Sequence, residues 1–470
     1  MKRAVVIGGG LSGLAAAWSL LEEARARSLE LDLTLLERDP QTGGKIRSFR
    51  EHGYLWEGGP PGFLDNKPST LALSKRLGID GRLLKSSDEA RKRYIFTGGT
   101  LKLLPEDPVS FLLSDLISIR GKLRLGAEFF LPQGDPAQDE SVAAFVRRRL
   151  GDEALEKLID PMSAGIYAGD PNVMSLKSCF PKVAQIEQQF GGLLKGMLGL
   201  QKMAKARGQE GPKTAGPGGY LWSFDEGAGV LTDTLAERLG TERVRAGREA
   251  RALERSEKGW TVRTADDSIE GVDAVVVATP AFDAAQLLAP FDASLGDLLF
   301  AIPYVPAAVV SLGYARGDIP RPVDGFGFLI PRAEGRKILG SRWDSATFSG
   351  RAPDECVLLT QIVGGARNPE LVGLEDEPLL AVVREEMRLT LGISVPPPFA
   401  RVIRWPRAIP QYTVGHAKRL EAIEAKLSAL GPLFLGGNAY YGIGINDCTG
   451  HAGVLAPRLA EVLAKGDAAA

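Results

Sequence analysis

An α/β chain with an added helical region is what this sequence predicts, and three observations predict it. The first is an apolar run, "RAVVIG", that ends in glycines and is followed by "LSGLAAAWSLLEEARA", a strand–turn–helix order. The second is the stretch from about Pro105 to Met203, where apolar residues recur at helical spacing. The third is a return of short apolar runs after residue 259, closing on "PLFLGG" and a second glycine-rich stretch, "GGNAYYGIGIND".

The opening strand covers residues 3–8, and "LDLTLLE" at 31–37 is the next strand, so the chain starts with a βαβ unit. In the middle stretch, "SFLLSDLISIRGKLRLGAEFFL" and "VAQIEQQFGGLLKGMLGL" read as amphipathic helices, with Gly121 and Gly126 weakening the case for one unbroken helix in the former. "KARGQEGPKTAGPGG", residues 205–219, carries the clearest mobile-loop composition. "GWTVRT" and "VDAVVVATP" then read as strands, and "AAVVSLGY", "GFGFLIP" and "CVLLTQIVGG" as strands of one sheet. "PLLAVVREEMRLTLG" is an amphipathic helix, "FARVIRW" a strand, and a last helix starts near Asn446, kinked or restarted at Pro457.

Composition narrows the function classes. A chain of 470 residues exceeds one simple core, so two or three domains are expected. Lys and Arg total 57 against 58 Asp and Glu, which leaves no global field for nucleic acid. Cys179, Cys356 and Cys448 are far apart, and so are His52, His416 and His451; neither a disulfide framework nor a metal site is expected, and a reducing compartment suits the chain. The N-terminus "MKRAVVIGGG" lacks a signal-peptide apolar region, and no run reaches the ~18 apolar residues of a membrane span.

Gly8, Gly10 and Gly13 fit G-x-G-x-x-G between a strand and a helix. In that setting the first glycine permits a tight turn, the second lets a pyrophosphate approach, and the third lets helix and strand pack. The pyrophosphate rests on the helix N-terminus, and the whole run, with Gly9, Leu11 and Ser12, is assigned to the cofactor. Glu37, at the end of the second strand, suits the ribose hydroxyls. Whether the dinucleotide is FAD or NAD turns on the continuation "ERDPQTGGKIRS", with "EGGPPGF" after it, and it is settled by resemblance.

These residues resemble the second fingerprint of flavoprotein oxidases of the amine-oxidase superfamily. That resemblance implies that Gly44, Lys45 and Ile46 line a non-covalent FAD and that Gly59, Pro60, Pro61 and Gly62 pass beside its ring. It also implies an adenine-side contact at Ala250, and a return of the chain at Gly436, with Ile443, Gly444 and Ile445 opening a helix aimed at the flavin. "SAGIYAGDPNVMSLKSCFP", "IPQYTVGH" and "YYGIGINDC" further resemble one member family, the oxygen-dependent, FAD-containing protoporphyrinogen oxidases.

That family oxidises a porphyrinogen by six electrons in three steps, with dioxygen as acceptor and hydrogen peroxide as product. The resemblance implies a Rossmann-type FAD-binding domain built from discontinuous segments (1–85, 211–300 and 406–470), a mixed-sheet substrate domain (301–405) and a helical membrane-associating region (86–210). Arg93 matches the cation that pairs a substrate carboxylate; "RKR" by itself reads as a solvated basic run, but Tyr94, Ile95 and Phe96 after it favour a half-buried strand. Gly165 matches a glycine facing the reacting carbon, or a simple turn; Leu329 and Ile362 match residues sandwiching the ring, or plain sheet core. Trp405 matches a tryptophan beside the flavin, or ordinary packing at a strand end. Arg342 stands where an apolar pocket residue is expected and offers a second carboxylate partner.

A coproporphyrinogen oxidase of the same fold is the nearest alternative; an amine oxidase, a carotenoid desaturase and an FAD-bearing binding protein are the others. The resemblance implies a cytoplasmic protein that contacts the inner face of the cell membrane peripherally, while simple helix packing of the 110–131 stretch and a homodimer both stay open.

Overall fold

The computed structural model describes residues 1–206 and 219–465, and among them the strands form five sheets. Most of the run 205–219, expected to be a mobile loop, lies outside the described residues.

The first large sheet has five parallel strands in the order Val244–Arg245, Leu31–Leu36, Lys2–Ile7, Ala274–Val277, Leu433–Leu435. A parallel sheet is covered on both faces, so its strands read as continuous apolar runs. Alternation divides the opening strand between two cores. Ala4 and Val6 pack with helices Leu11–Ala26 and Ile445–Lys465, whereas Val5 and Ile7 pack with helices Ala281–Leu288, Ala293–Phe300 and His416–Leu430. A small antiparallel sheet, strands Ala252–Ser256, Gly259–Arg263 and Ser268–Val272, adds Trp260 and Val262 to the second core.

The other large sheet has seven strands in the order Phe399–Pro410, Tyr304–Ala315, Cys356–Gly364, Ile338–Trp343, Gly327–Leu329, Arg93–Thr97, Thr100–Leu103. It is mixed because Gly327–Leu329 runs parallel to Arg93–Thr97 while its other pairs are antiparallel. One face buries Val310, Phe328, Trp343 and Leu359 under helix Asp376–Leu391. The segment 86–210 therefore begins with a hairpin of this sheet before its helices start at Pro108, and the strand from Phe399 runs past residue 405 to Pro410.

The helical stretch is broken, as its glycines suggest: an α-helix ends at Gly126 and passes into a 3-10 turn, Ala127–Phe130, while Gly121 lies inside the helix and a further break falls before Ser118. Helix Pro108–Leu113 ends, and Ile119–Gly126 restarts where the Ser118 hydroxyl accepts from the Gly121 N–H at 3.1 Å. A serine cap relieves an unpaired donor, whereas a helical glycine costs only about 1 kcal/mol, so the cap sets the boundary. The expected restart at Pro457 does not occur: helix Ile445–Lys465 continues through it. Leu455, Ala456, Leu459 and Ala460 are buried there, and that packing offsets the hydrogen bond proline removes. Among the described residues no helix is long and apolar enough to cross a membrane.

Candidate active site

The parallel sheet brings the two glycine-rich stretches, more than four hundred residues apart in sequence, to either side of one strand, Ala274–Val277. All five strands point the same way, so both turns leave the same edge, where open α/β sheets bind ligands. Gly8 has φ +109°, and a Cβ there would sit 2.9 Å from the Ala278 carbonyl. A Cβ on Gly13 would lie 1.9 Å from the Gly8 oxygen. Helix Leu11–Ala26 thus approaches the strand more closely than any side chain allows, while Gly10 lends its N-terminus no side-chain cap. Its first N–H groups are free to take an anion.

Other groups complete a cradle. The Gly43 N–H donates to the Gly9 carbonyl at 2.8 Å, laying Gly44 across Gly10. Glu37 accepts from the Gly9 N–H at 2.6 Å and the Asp39 N–H at 2.8 Å. The Arg248 N–H reaches the Glu37 carbonyl at 2.7 Å, which brings the chain toward Ala250 alongside the carboxylate. The Thr279 hydroxyl, at the end of "VVVAT", is buried without a partner among the described residues. On the far side the Gly436 N–H donates to the Val277 carbonyl at 2.9 Å, and Ser12 hydrogen-bonds the Cys448 thiol, whose pKa burial raises to about 11. A bare helix N-terminus, a ribose-type carboxylate and an orphaned hydroxyl on one edge fit a dinucleotide.

The segment expected beside the flavin ring is held from behind. A Cβ on Gly59 would fall 2.2 Å from the Lys45 carbonyl, and one on Gly62 2.1 Å from that of Trp222. Ser223 donates to the Pro61 carbonyl at 2.7 Å, following Pro60, and the Trp405 indole donates to Gly58 at 2.7 Å. Burial lowers the Lys45 amine to about 8, with Asp283 pulling the other way; Ile46 beside it is buried. Glu57 receives Arg351 at 2.8 Å and Ser48 at 2.6 Å, and Arg351 also donates to Ser223 at 2.9 Å. Burial raises the Glu57 carboxyl although Arg351 opposes it. The pair was missed because its members are almost three hundred residues apart; only the position of Glu57 just ahead of "GGPPG" hinted at it.

Tyr412 was also missed as a site residue, although it lies in "IPQYTVGH". Its hydroxyl donates to the Asn438 carbonyl at 2.7 Å and accepts from the Gly442 N–H at 2.8 Å. It fixes the loop ahead of Gly444 and Ile445, where the last helix begins; Ile443 packs on the helical-stretch core.

The face of the seven-stranded sheet opposite helix Asp376–Leu391 gathers the remaining candidates. Register aligns Ile95, Leu329, Gly340, Ile362, Val309 and Ile403 in one row. Two residues along, Arg93, Gly327, Arg342 and Thr360 form a second row on that face. Helix Asp160–Tyr167 lies against the first row, so close that a Cβ on Gly165 would meet Leu329 Cδ2 at 2.8 Å. Trp405 belongs to the same face, pairing with Ala307. Gly165, Leu329, Ile362, Arg93, Arg342 and Trp405 therefore share one surface.

The two arginines differ. Arg93 has no carboxylate within 4 Å among the described residues, its Nε is buried without a partner, and burial lowers its pKa. Arg342 donates to Asp344 at 2.5 Å, and both are nearly buried, although one Arg342 nitrogen and one Asp344 oxygen stay unpaired. Of the two, Arg93 is the one without an ion pair, with Glu106 acting on it only from beyond contact distance, a costly state for a largely buried cation unless an anion pairs it.

Comparison with known proteins agrees with this geometry. The family model for flavin containing amine oxidoreductase matches residues 11–453. The coproporphyrinogen III oxidase of Bacillus subtilis (strain 168) is 32% identical over 95% of this chain and 95% of its own. Protoporphyrinogen oxidase 1 of Spinacia oleracea chloroplasts is 33% identical, covering 94% of this chain and 81% of that protein. A crystal structure from Exiguobacterium sp. 255-15, provisionally named a protoporphyrinogen oxidase, superposes with a TM-score of 0.82 at 27% identity, over 98% of this chain and 99% of that one. The chain belongs to the flavin-containing amine oxidoreductase family and is an FAD-dependent oxidoreductase.

Proposed function

We propose that the protein oxidises a porphyrinogen, protoporphyrinogen IX by preference, with dioxygen as the final electron acceptor. The observation that supports this most is Arg93, which has no ion-pair partner among the described residues and stands one row along from the apolar row made by Leu329, Gly340 and Ile362. A flat apolar macrocycle with carboxylates along one edge matches that pattern. The names of the Bacillus and Spinacia relatives support the substrate class.

In this reading FAD, when bound, supplies the two-electron acceptor used in each of three steps. The turn Gly8–Gly13 with Gly44 and Glu37 would hold its pyrophosphate and ribose, Ala250 its adenine side, and Gly59–Gly62, Trp405, Gly436 and Ile443–Ile445 its ring end. Arg93 pairs a propionate and fixes the macrocycle's direction. Leu329 and Ile362 press it flat and exclude water, and Gly165 lets the helix backbone come down on it without a side chain between. Arg342 stands in the row of Arg93 and would offer a second carboxylate partner, already partly engaged by Asp344.

A second reading, coproporphyrinogen III with four propionates, draws support from Arg342 in the row of Arg93. Against it, Asp344 already takes up much of the Arg342 charge. Aerobic turnover of both substrates by porphyrin fluorescence decides the matter: preference for protoporphyrinogen IX supports the first reading, preference for coproporphyrinogen III the second. Turnover of neither rejects both.

Peripheral contact with the inner membrane face belongs to the same reading. Val109, Leu112, Leu113, Ile119, Leu123 and Phe130 are exposed in the helical stretch, Leu113 at 82% and Phe130 at 83%. Flotation with anionic liposomes tests it; recovery wholly in the soluble fraction rejects it.

A further inference from the structure

The helix that bears Gly165 is anchored by a buried charge pair. Asp160 opens that helix, and its Oδ2 accepts from Arg367 Nη2 at 2.8 Å and from the Arg332 N–H at 2.8 Å. The two side chains are 6% and 9% exposed, Arg367 and Asp160 respectively. Arg367 Nη1 continues to the Ile330 carbonyl at 2.5 Å, the residue next to Leu329, and Arg332 pairs Asp170 at 3.1 Å beyond the helix C-terminus. That end is tied as well, since the Ala366 N–H donates to the Ala168 carbonyl at 2.8 Å. One helix is thus fastened at both ends to the segments that follow Leu329 and Ile362.

Two features separate this arrangement from ordinary packing. A π-turn, Leu155–Ile159, immediately precedes Asp160; such insertions re-aim the residues after them and concentrate at functional sites. Further, a buried ion pair adds little net stability over apolar residues of similar shape, yet it specifies geometry through directed hydrogen bonds. The Arg367 Nε is even left buried without a partner.

We propose that Asp160 and Arg367 are positioning residues: they set the height of Gly165 above the Leu329–Ile362 row, and so the placement of the substrate's reacting carbon. The inference rests on the porphyrinogen reading. Neither residue touches substrate; both act through the helix. Displacing a reacting centre by about 1 Å costs on the order of a hundredfold in rate.

The test is the double variant Asp160→Asn/Arg367→Met, which leaves no buried charge unpaired, assayed as FAD-loaded enzyme beside the wild type. Flavin content, melting temperature and affinity for protoporphyrin IX, by fluorescence quenching, accompany kcat and KM on the porphyrinogen. The expected result is kcat per bound flavin reduced by roughly tenfold to a hundredfold, with KM and porphyrin affinity within about threefold of wild type. Loss of melting temperature or flavin content alone, with kcat per bound flavin unchanged, reduces the pair to scaffolding and overturns the proposal. Should the double variant not fold, Asp160→Asn alone keeps the Arg332 N–H bond and is judged by the same criteria. An inactive wild type removes the porphyrinogen reading and this inference together, whereas an active wild type matched by its variant removes the inference only.

Discussion

The two large sheets offer their ligands different chemistry. In the proposed reading the five-stranded sheet would work at its edge and mainly through the backbone: Gly8 and Gly13 are glycines because a Cβ would strike a carbonyl, and the helix N-terminus carries no side-chain cap. Under the proposed function the seven-stranded sheet would work across its face and through side chains, with Arg93, Arg342, Leu329 and Ile362 arranged by strand register. Backbone recognition concentrates in short contiguous motifs, whereas face recognition collects single residues from many strands. The first tolerates almost no substitution, and the second yields graded changes in affinity.

The largest expected effect breaks the edge. Gly13→Val puts side-chain atoms where the Gly8 carbonyl already lies, 1.9 Å from the first of them. Overpacking and strain of about 3 kcal/mol or more should abolish flavin retention, read as the ratio of flavin to protein absorbance. On the face, Arg93→Ala should raise KM for the porphyrinogen by about tenfold to a hundredfold and change kcat little, because a charged hydrogen bond contributes ~1.5–3 kcal/mol. A fall in kcat instead would move Arg93 from binding to the reacting centre.

Gly165→Ala should lower kcat/KM by roughly tenfold, since its Cβ would meet Leu329 Cδ2 at 2.8 Å, the flexible end of a side chain. Leu329→Ala in the same chain should recover part of that loss; a double-mutant cycle without coupling would separate the two residues.

The smallest effect concerns the joint between the sheets. His416 stacks on Tyr412 at 4.2 Å, and burial, aided by Arg419, lowers its pKa to about 4. Unfolded, the imidazole binds a proton near pH 6.5; folded, it stays neutral down to about pH 4. The unfolded state thus holds more protons between these values, and stability falls as pH drops through that window. His416→Phe should flatten the acid slope of the melting temperature, on the order of 1–3 °C between pH 6.5 and 4.5. An unchanged slope would assign the acid sensitivity to another group, such as His451, whose pKa burial also lowers to about 4.

Most of the edge was legible in the sequence. G-x-G-x-x-G, Glu37, "GGKIRS" and "GGNAYYGIGIND" are local patterns whose spacing carries their geometry, and the all-apolar strands announced a parallel sheet covered on both sides. Less of the face could be read. Arg93, Leu329 and Ile362 were reached only by resemblance, because nothing local distinguishes them from core or surface. The Glu57–Arg351 and Asp160–Arg367 pairs left no sequence signal, each joining residues more than two hundred positions apart. The break before Ser118 left no reading in the sequence, and of the kink or restart expected at Pro457 the restart does not occur, because capping and core packing outweighed single-residue propensity.

By itself, then, the sequence determined the βαβ start, the cofactor edge and the helical stretch, since hydrophobic period and glycine spacing act over a few residues. Tertiary structure alone decided that Arg93 stands without an ion pair while Asp344 holds Arg342, and that Gly165 descends onto Leu329. Whether a charge is paired, or a backbone is close, depends on which distant strand lies alongside, and strand register is settled only when the whole sheet forms.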